Sequence, residues 1–198
     1  MTTARAGLRA LRRSEIIAAA RTIVAQHSLA ALTISALEDR LDFTRGVITY
    51  HFRNKDEIVL AVLESAIQEI DIAAREGVSA QMTVTEKVSA VIGAIVRGFL
   101  ERHEATQILV SYWGRVRTDP KLGKLNSSLF ARYRRDSAEL LRMGHAIGEF
   151  REANFDALAA VMVGVVIGIV TQSIFEPGSV DVDAAIHEAS QAILSRLL

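Results

Sequence analysis

Apolar residues recur every three or four positions along nearly the whole chain, and that regularity restricts the fold more than any other feature. Ile16, Ala20, Ile23 and Val24 follow it, as do Ile58, Val62, Ala66, Ile70 and Ala73, and then Val84, Val88, Val91, Ile95 and Phe99. Such spacing stacks side chains on one face of a helix, whereas a half-buried strand needs strict alternation. No alternating stretch is long enough to argue a sheet. Leu122, Leu125, Leu129 and Tyr133 continue the pattern, and Ile186, Ala189, Ile193 and Leu197 close it. The chain is therefore expected to be all-α. Breakers at 77–83, Asp119-Pro120, Ala153-Asn154 and Pro177-Gly178-Ser179 divide it into about nine helices. They fall near 12–27, 33–40, 44–50, 55–76, 84–101, 104–117, 121–146, 155–174 and 182–197.

A chain of 198 residues with half its positions apolar suits one compact domain or two small ones, and is not a disordered segment. It contains no cysteine, so it is no disulfide scaffold and is indifferent to a reducing cytoplasm, where it is expected to reside. The apolar run after the first arginines is broken by Arg12, Arg13, Ser14 and Glu15, so it does not read as a signal peptide. The net charge of zero hides a polarity: residues 1–60 carry nine Lys/Arg against six Asp/Glu, and residues 61–198 carry fourteen against seventeen. Locally, Arg5, Arg9, Arg12 and Arg13 form a basic arm with no acid in its thirteen residues, suited to a polyanion. The sign of the charge changes near 77–83, where a seam is expected.

Residues 33–52 parse as two very short helices around a turn at Leu41-Asp42-Phe43, the spacing of a helix-turn-helix. Thr33 and Thr44 stand where N-caps are wanted. Leu37, Leu41, Phe43 and Ile48 would form the small core between the helices. Thr44, Arg45, Gly46, Val47, Thr49, Tyr50 and His51 would then face outward, a set of donors, one cation and an aromatic that suits a DNA major groove. Arg45 can pair bidentately with a guanine, and Val47 can pack on a thymine methyl. Lys55, together with the amides opening the fourth helix, can hold a phosphate.

The run Arg13–Ile58, above all Thr44-Arg45-Gly46-Val47-Ile48-Thr49-Tyr50-His51-Phe52-Arg53-Asn54-Lys55-Asp56-Glu57-Ile58, resembles the DNA-binding domain of the TetR family of transcriptional regulators. Tyr112-Trp113-Gly114, Asp119-Pro120 and Gly148-Glu149-Phe150-Arg151 are similar to the BetI-like subgroup of its C-terminal domains. The resemblance implies an N-terminal helix-turn-helix domain joined to a larger ligand-binding and dimerisation domain. Residues 1–54 would bind DNA and 55–198 would bind an effector and dimerise, with the fourth helix linking them. It further implies a homodimer on double-stranded operator DNA, acting as a repressor that a small-molecule effector releases. Three positions depart from the family pattern: Glu38 stands where alanine is usual, Asp42 where glycine is usual, and Thr49 where an aromatic is frequent. Glu38 is expected at the edge of the helix contact, since a buried acid there would splay the two helices.

Ala157 to Phe175 are nineteen consecutive uncharged residues, containing Gly164-Val-Val-Ile-Gly168, a small-xxx-small pattern. That is long enough for a membrane span, the alternative function being a membrane-anchored helical protein. Asp156 and Glu176 at its flanks, and Thr171, Gln172 and Ser173 near one end, favour a buried dimerisation helix instead, with no membrane. Gly164 and Gly168, with Ile186 and Ile193 of the last helix, are the expected dimer interface. For the effector pocket the aromatic and polar candidates are Trp113, Tyr133, Gln107, Tyr112, Phe99 and Arg117, while Arg132, Arg134 and Arg135 read as a solvated face. His103-Glu104-Ala-Thr-Gln107 and His187-Glu188-Ala-Ser-Gln191 end in Gln where a zinc helix needs His. No metal, cofactor or catalytic constellation is expected, and the chain is not read as an enzyme.

Overall fold

In the computed structural model the structure describes residues 2–198, with side chains from residue 6 onward. Among the described residues there are nine helices and no strand: α1 Thr2–Gln26, α2 Ile34–Leu41, α3 Arg45–His51, α4 Lys55–Glu76, α5 Val84–Glu101, α6 His103–Trp113, α7 Pro120–Ala146, α8 Phe155–Phe175 and α9 Val182–Leu194. The all-α expectation holds, and α4 and α5 have the expected bounds. The largest difference is α1, which begins ten residues before the expected Arg12. Residues 4–13 are mostly Ala, Leu and Arg, all of high helix propensity, so the arginines decorate a helix rather than end one. α6 stops at Trp113 because Gly114 opens a series of turns, in which the Arg115 amide donates to Tyr112 at 2.9 Å.

Helix starts follow local chemistry. Thr33 Oγ1 accepts from the Ala36 amide at 3.0 Å, and Thr83 and Glu86 form a reciprocal capping box on α5. Asp119 Oδ1 accepts from the Lys121 amide at 3.0 Å, with Pro120 as the first helical residue of α7. At the start of α5, Glu149 accepts from the amides of Thr85 (2.8 Å) and Val84 (3.0 Å). Those backbone bonds, Thr85 first, hold its carboxyl below the ordinary glutamate value.

The packing divides the chain into two units: residues 1–69 with 103–122, and residues 70–102 with 123–198. In the first, α1 packs against α2, α3 and α6. Its core contains Ile16, Ala20, Ile23, Val24, Leu37, Ile48, Phe52, Ile58, Val62 and Tyr112. In the second, α5 packs against α8 and α9 around Val88, Ile92, Val96, Met162, Ile169 and Ile186.

One cation organises the first unit. The Arg21 guanidinium on α1 donates to Glu69 of α4 at 2.6 Å, to Glu104 of α6 at 2.7 Å and to Ser65 Oγ at 2.9 Å. Its side chain is 15% exposed, so its hydrogen-bonding groups are largely satisfied by protein rather than by water. Arg21→Ala removes three hydrogen bonds, two of them ion pairs to partly exposed carboxylates, and the expected loss is roughly 1–3 kcal/mol in denaturant unfolding. Arg21→Lys should recover only part of that, because an ammonium lacks the planar fork. An unfolding midpoint unchanged in both variants would contradict the clamp.

Candidate nucleic-acid interface

The two short helices sit on α1 through a few fully buried side chains. Leu37 of α2 and Ile48 of α3 are both 0% exposed, with Leu41 and Phe43 half-buried beside them. The turn runs through 42–44, one residue later than expected, and Asp42 takes the left-handed conformation at φ 52° that closes α2. An aspartate tolerates that conformation at modest cost, which is how the chain manages without the family's usual glycine. Glu38 is half-buried, at the rim of the contact.

With Ile48 turned inward, α3 presents Thr44, Arg45, Gly46, Val47, Thr49 and Tyr50 to solvent. Tyr50 is 68% exposed. Thr44 occupies the N-cap position of α3 but makes no side-chain cap bond, unlike Thr33. Thr49 donates its hydroxyl back to the Arg45 carbonyl at 2.9 Å, so that group serves its own helix. His51 differs from the outward set: it is half-buried, lies edge-on to Tyr50 with ring centroids 5.1 Å apart, and its Nδ1 is buried without a hydrogen-bond partner. Lys55 is half-buried too, donating from Nζ to the Ala30 carbonyl at 3.3 Å.

The arginines of α1 lie against this head, a relation that spacing alone did not reveal. The guanidinium of Arg9 stands 5.4 Å over the Tyr50 ring, that of Arg12 4.8 Å over Phe43, and that of Arg13 4.8 Å over Phe52. The Arg5 side chain lies outside the described residues. Burial holds the His51 imidazole below its ordinary value, and the charges of Arg9 and Arg13 push the same way.

The candidate effector residues are distributed over both units. Gln107, Tyr112, Trp113 and Arg117 belong to the first, Phe99 and Tyr133 to the second. Tyr112 is fully buried and donates its hydroxyl to the Leu122 carbonyl at 3.1 Å, with burial pushing its pKa up to about 12. It is a core residue. Phe99 is buried, Gln107 and Arg117 are exposed, and Trp113 is half-buried. Tyr133 is half-buried and donates to Asp71 at 3.1 Å, beside an Arg132–Asp71 pair at 2.7 Å. Burial and the Asp71 charge raise the phenol well above its usual range. Arg132 is therefore not part of a solvated face, although Arg134 and Arg135 are exposed as expected. Asp71 was missed by sequence reasoning; its signal was a carboxylate set between two apolar residues, Ile70 and Ile72.

Gly164 and Gly168 face open space, since a Cβ at either would meet no neighbouring atom within 4 Å. Ile186 and Ile193 instead point into their own chain's core, 7% and 2% exposed.

Comparison with known proteins rests on this geometry. A model described as bacterial regulatory proteins of the tetR family matches residues 16–62, and one described as the C-terminal part of BetI-type transcriptional repressors matches residues 84–198. The chain belongs to the TetR family. It is 20% identical to the HTH-type transcriptional regulator BetI of Burkholderia cenocepacia over 188 residues, 94% of each chain. Its fold is that of a TetR transcriptional regulator from Chloroflexus aurantiacus, with TM-score 0.83, 19% identity and coverage of 96% and 97% of the two chains. It is also similar to a Saccharomonospora viridis protein solved in complex with choline, at TM-score 0.77, 19% identity and coverage of 93% and 96%. As a TetR-family member the chain is a DNA-binding transcriptional regulator and not an enzyme. The membrane-span alternative has no support: α8 passes the length and hydropathy test for a span, but it lies wholly inside the stretch matching the BetI-type repressor domain.

The packing around His51 predicts its titration. Because its folded value lies below the unfolded one, the unfolded chain binds more protons in between. His51 therefore costs stability as the pH falls from neutrality through the ordinary histidine value of about 6.5. An NMR titration should place the His51 midpoint below that value, and Arg9→Ala should move it upward. A midpoint at or above the ordinary value would contradict the burial and the nearby charges.

Proposed function

We propose that the chain acts as a cytoplasmic homodimeric repressor, whose two helix-turn-helix heads occupy successive major grooves of an operator and are released by a small-molecule effector. Residues 1–54 bind DNA, and residues 55–198 bind the effector and dimerise. The observation that carries this reading is the face of α3, where Ile48 is buried while Thr44, Arg45, Val47 and Tyr50 stand outward. A major groove about 12 Å wide admits one helix, and the first residues of that helix meet base edges. Arg45 and Val47 stand at that end. Gly46 brings the backbone close, Thr49 and Tyr50 continue the exposed face with Thr33 at the entry to α2, and the half-buried His51 and Lys55 flank it.

Dimerisation is supported by α8. Ala157, Ala160, Val161 and Gly164 are exposed on it, and Phe175 is 69% exposed, an apolar row with no covering element among the described residues. Gly164 and Gly168 let a partner helix approach closely, whereas Ile186 and Ile193, buried in their own chain, are not offered to that surface. Two heads must then match half-sites about 34–36 Å apart. An effector that weakens operator affinity a hundredfold must favour the unmatched conformation by about 2.7 kcal/mol. Within the second unit, the half-buried Tyr133 with Asp71 and Arg132 is the locus we assign to effector contact. The choline complex of the Saccharomonospora viridis protein makes quaternary ammonium compounds a natural first panel.

Selection of bound fragments from a random duplex pool, followed by a screen of metabolites for release, tests the whole scheme. Recovery of no enriched sequence would defeat it. On the selected site, Arg45→Ala should weaken binding and relax preference at one base pair by about 1–3 kcal/mol, whereas Lys55→Ala should weaken all duplexes alike. Finding neither change in affinity would contradict the docking. Gly164→Leu should raise the dimer dissociation constant about tenfold or more in sedimentation, since side chains would fill the space between two close helices. An unchanged constant would locate the interface elsewhere.

A further inference from the structure

We infer that Arg9 and Arg13, on the amino-terminal extension of α1, form a second DNA contact that grips backbone phosphates at the carboxyl end of α3. The inference rests on the DNA-binding reading above and adds residues that lie before the family match, which begins at residue 16. Three observations carry it. First, the extension is helical from Thr2, and a helix 10–12 Å across cannot enter a minor groove about 6 Å wide. The helix backbone is thereby kept outside the minor groove, on the side of the duplex where phosphates are the nearest anions. Second, the guanidiniums are placed by aromatic rings of the reading head, with Arg9 over the exposed Tyr50 and Arg13 over Phe52. Both rings lie at the end of α3 remote from Arg45, so the bases are read at one end while cations gather at the other. Third, Arg9 and Arg13 are exposed and, among the described residues, make no ion pair with a carboxylate, whereas Arg12 is committed to Glu15 at 2.8 Å. A cation held by a ring face keeps its N–H donors for an anion.

Phosphate contacts fix register without carrying sequence, and each one releases a counterion, so the readout is salt dependence. The full-length protein is titrated on its selected duplex and on an unrelated duplex between 50 and 200 mM salt. Arg9→Ala and Arg13→Ala should each flatten the log–log salt slope by about one, so that the penalty shrinks about three- to fourfold across that range. The penalty should be the same on both duplexes, and Arg9→Lys should restore the slope. A penalty independent of salt and not rescued by lysine would mean that Arg9 only holds Tyr50, and would overturn the proposal. Displacement of the wild-type protein, but not of Arg9→Ala, by a minor-groove ligand would overturn it in favour of groove insertion. Failure of the wild-type protein to bind any duplex would instead defeat the DNA-binding reading, a result distinguishable from wild-type binding with unaltered slopes in both alanine variants.

Discussion

The reading helix is seven residues long and its partner eight, and helices that short do not hold themselves together in water. Everything at the DNA-facing end depends on their burial against α1. Leu37 and Ile48 are fully enclosed there, each worth about 1.5–3 kcal/mol of apolar burial, and Thr33 supplies one cap. α1 is held in turn by Arg21, which joins it to α4 and α6 through two carboxylates. The orientation of α3 is thus set by a scaffold of three longer helices, consistent with a site built on rigid elements rather than on loops.

Charge and ring placement at that end work together. The excess of cations in the first sixty residues is concentrated on α1, where Arg9, Arg12 and Arg13 cover Tyr50, Phe43 and Phe52. Burial, and after it the charges of Arg9 and Arg13, hold the His51 imidazole below its ordinary value. A polyanion brought to this surface meets a pre-arranged set of donors, which lowers the side-chain ordering that binding would otherwise require.

The two halves of the chain differed in how readable they were. Thr44-Arg45-Gly46-Val47-Ile48 and Tyr50-His51-Phe52 announced the reading head because a tight two-helix motif leaves each position one role: cap, inward anchor or outward contact. Asp42 was legible as a left-handed turn residue for the same reason. The second unit has no such local constraint. Its aromatics follow the same helical spacing whether they line a cavity or fill a core, so Tyr112 could be separated from Tyr133 only by seeing that one donates to a backbone carbonyl and the other to Asp71.

Periodicity, caps and breakers determined from the sequence alone that the chain is all-helical, where most helices begin, and that residues 33–52 form a helix-turn-helix, because those signals act over three or four neighbouring residues. Tertiary structure alone decided that α1 runs back to Thr2 with its arginines over α3, that Arg132 is drawn to Asp71 some sixty residues away, and that Ile186 and Ile193 turn inward while Gly164 faces out. Those outcomes depend on which helix faces pack together, and one amphipathic stripe is compatible with many partners until the whole core is assembled.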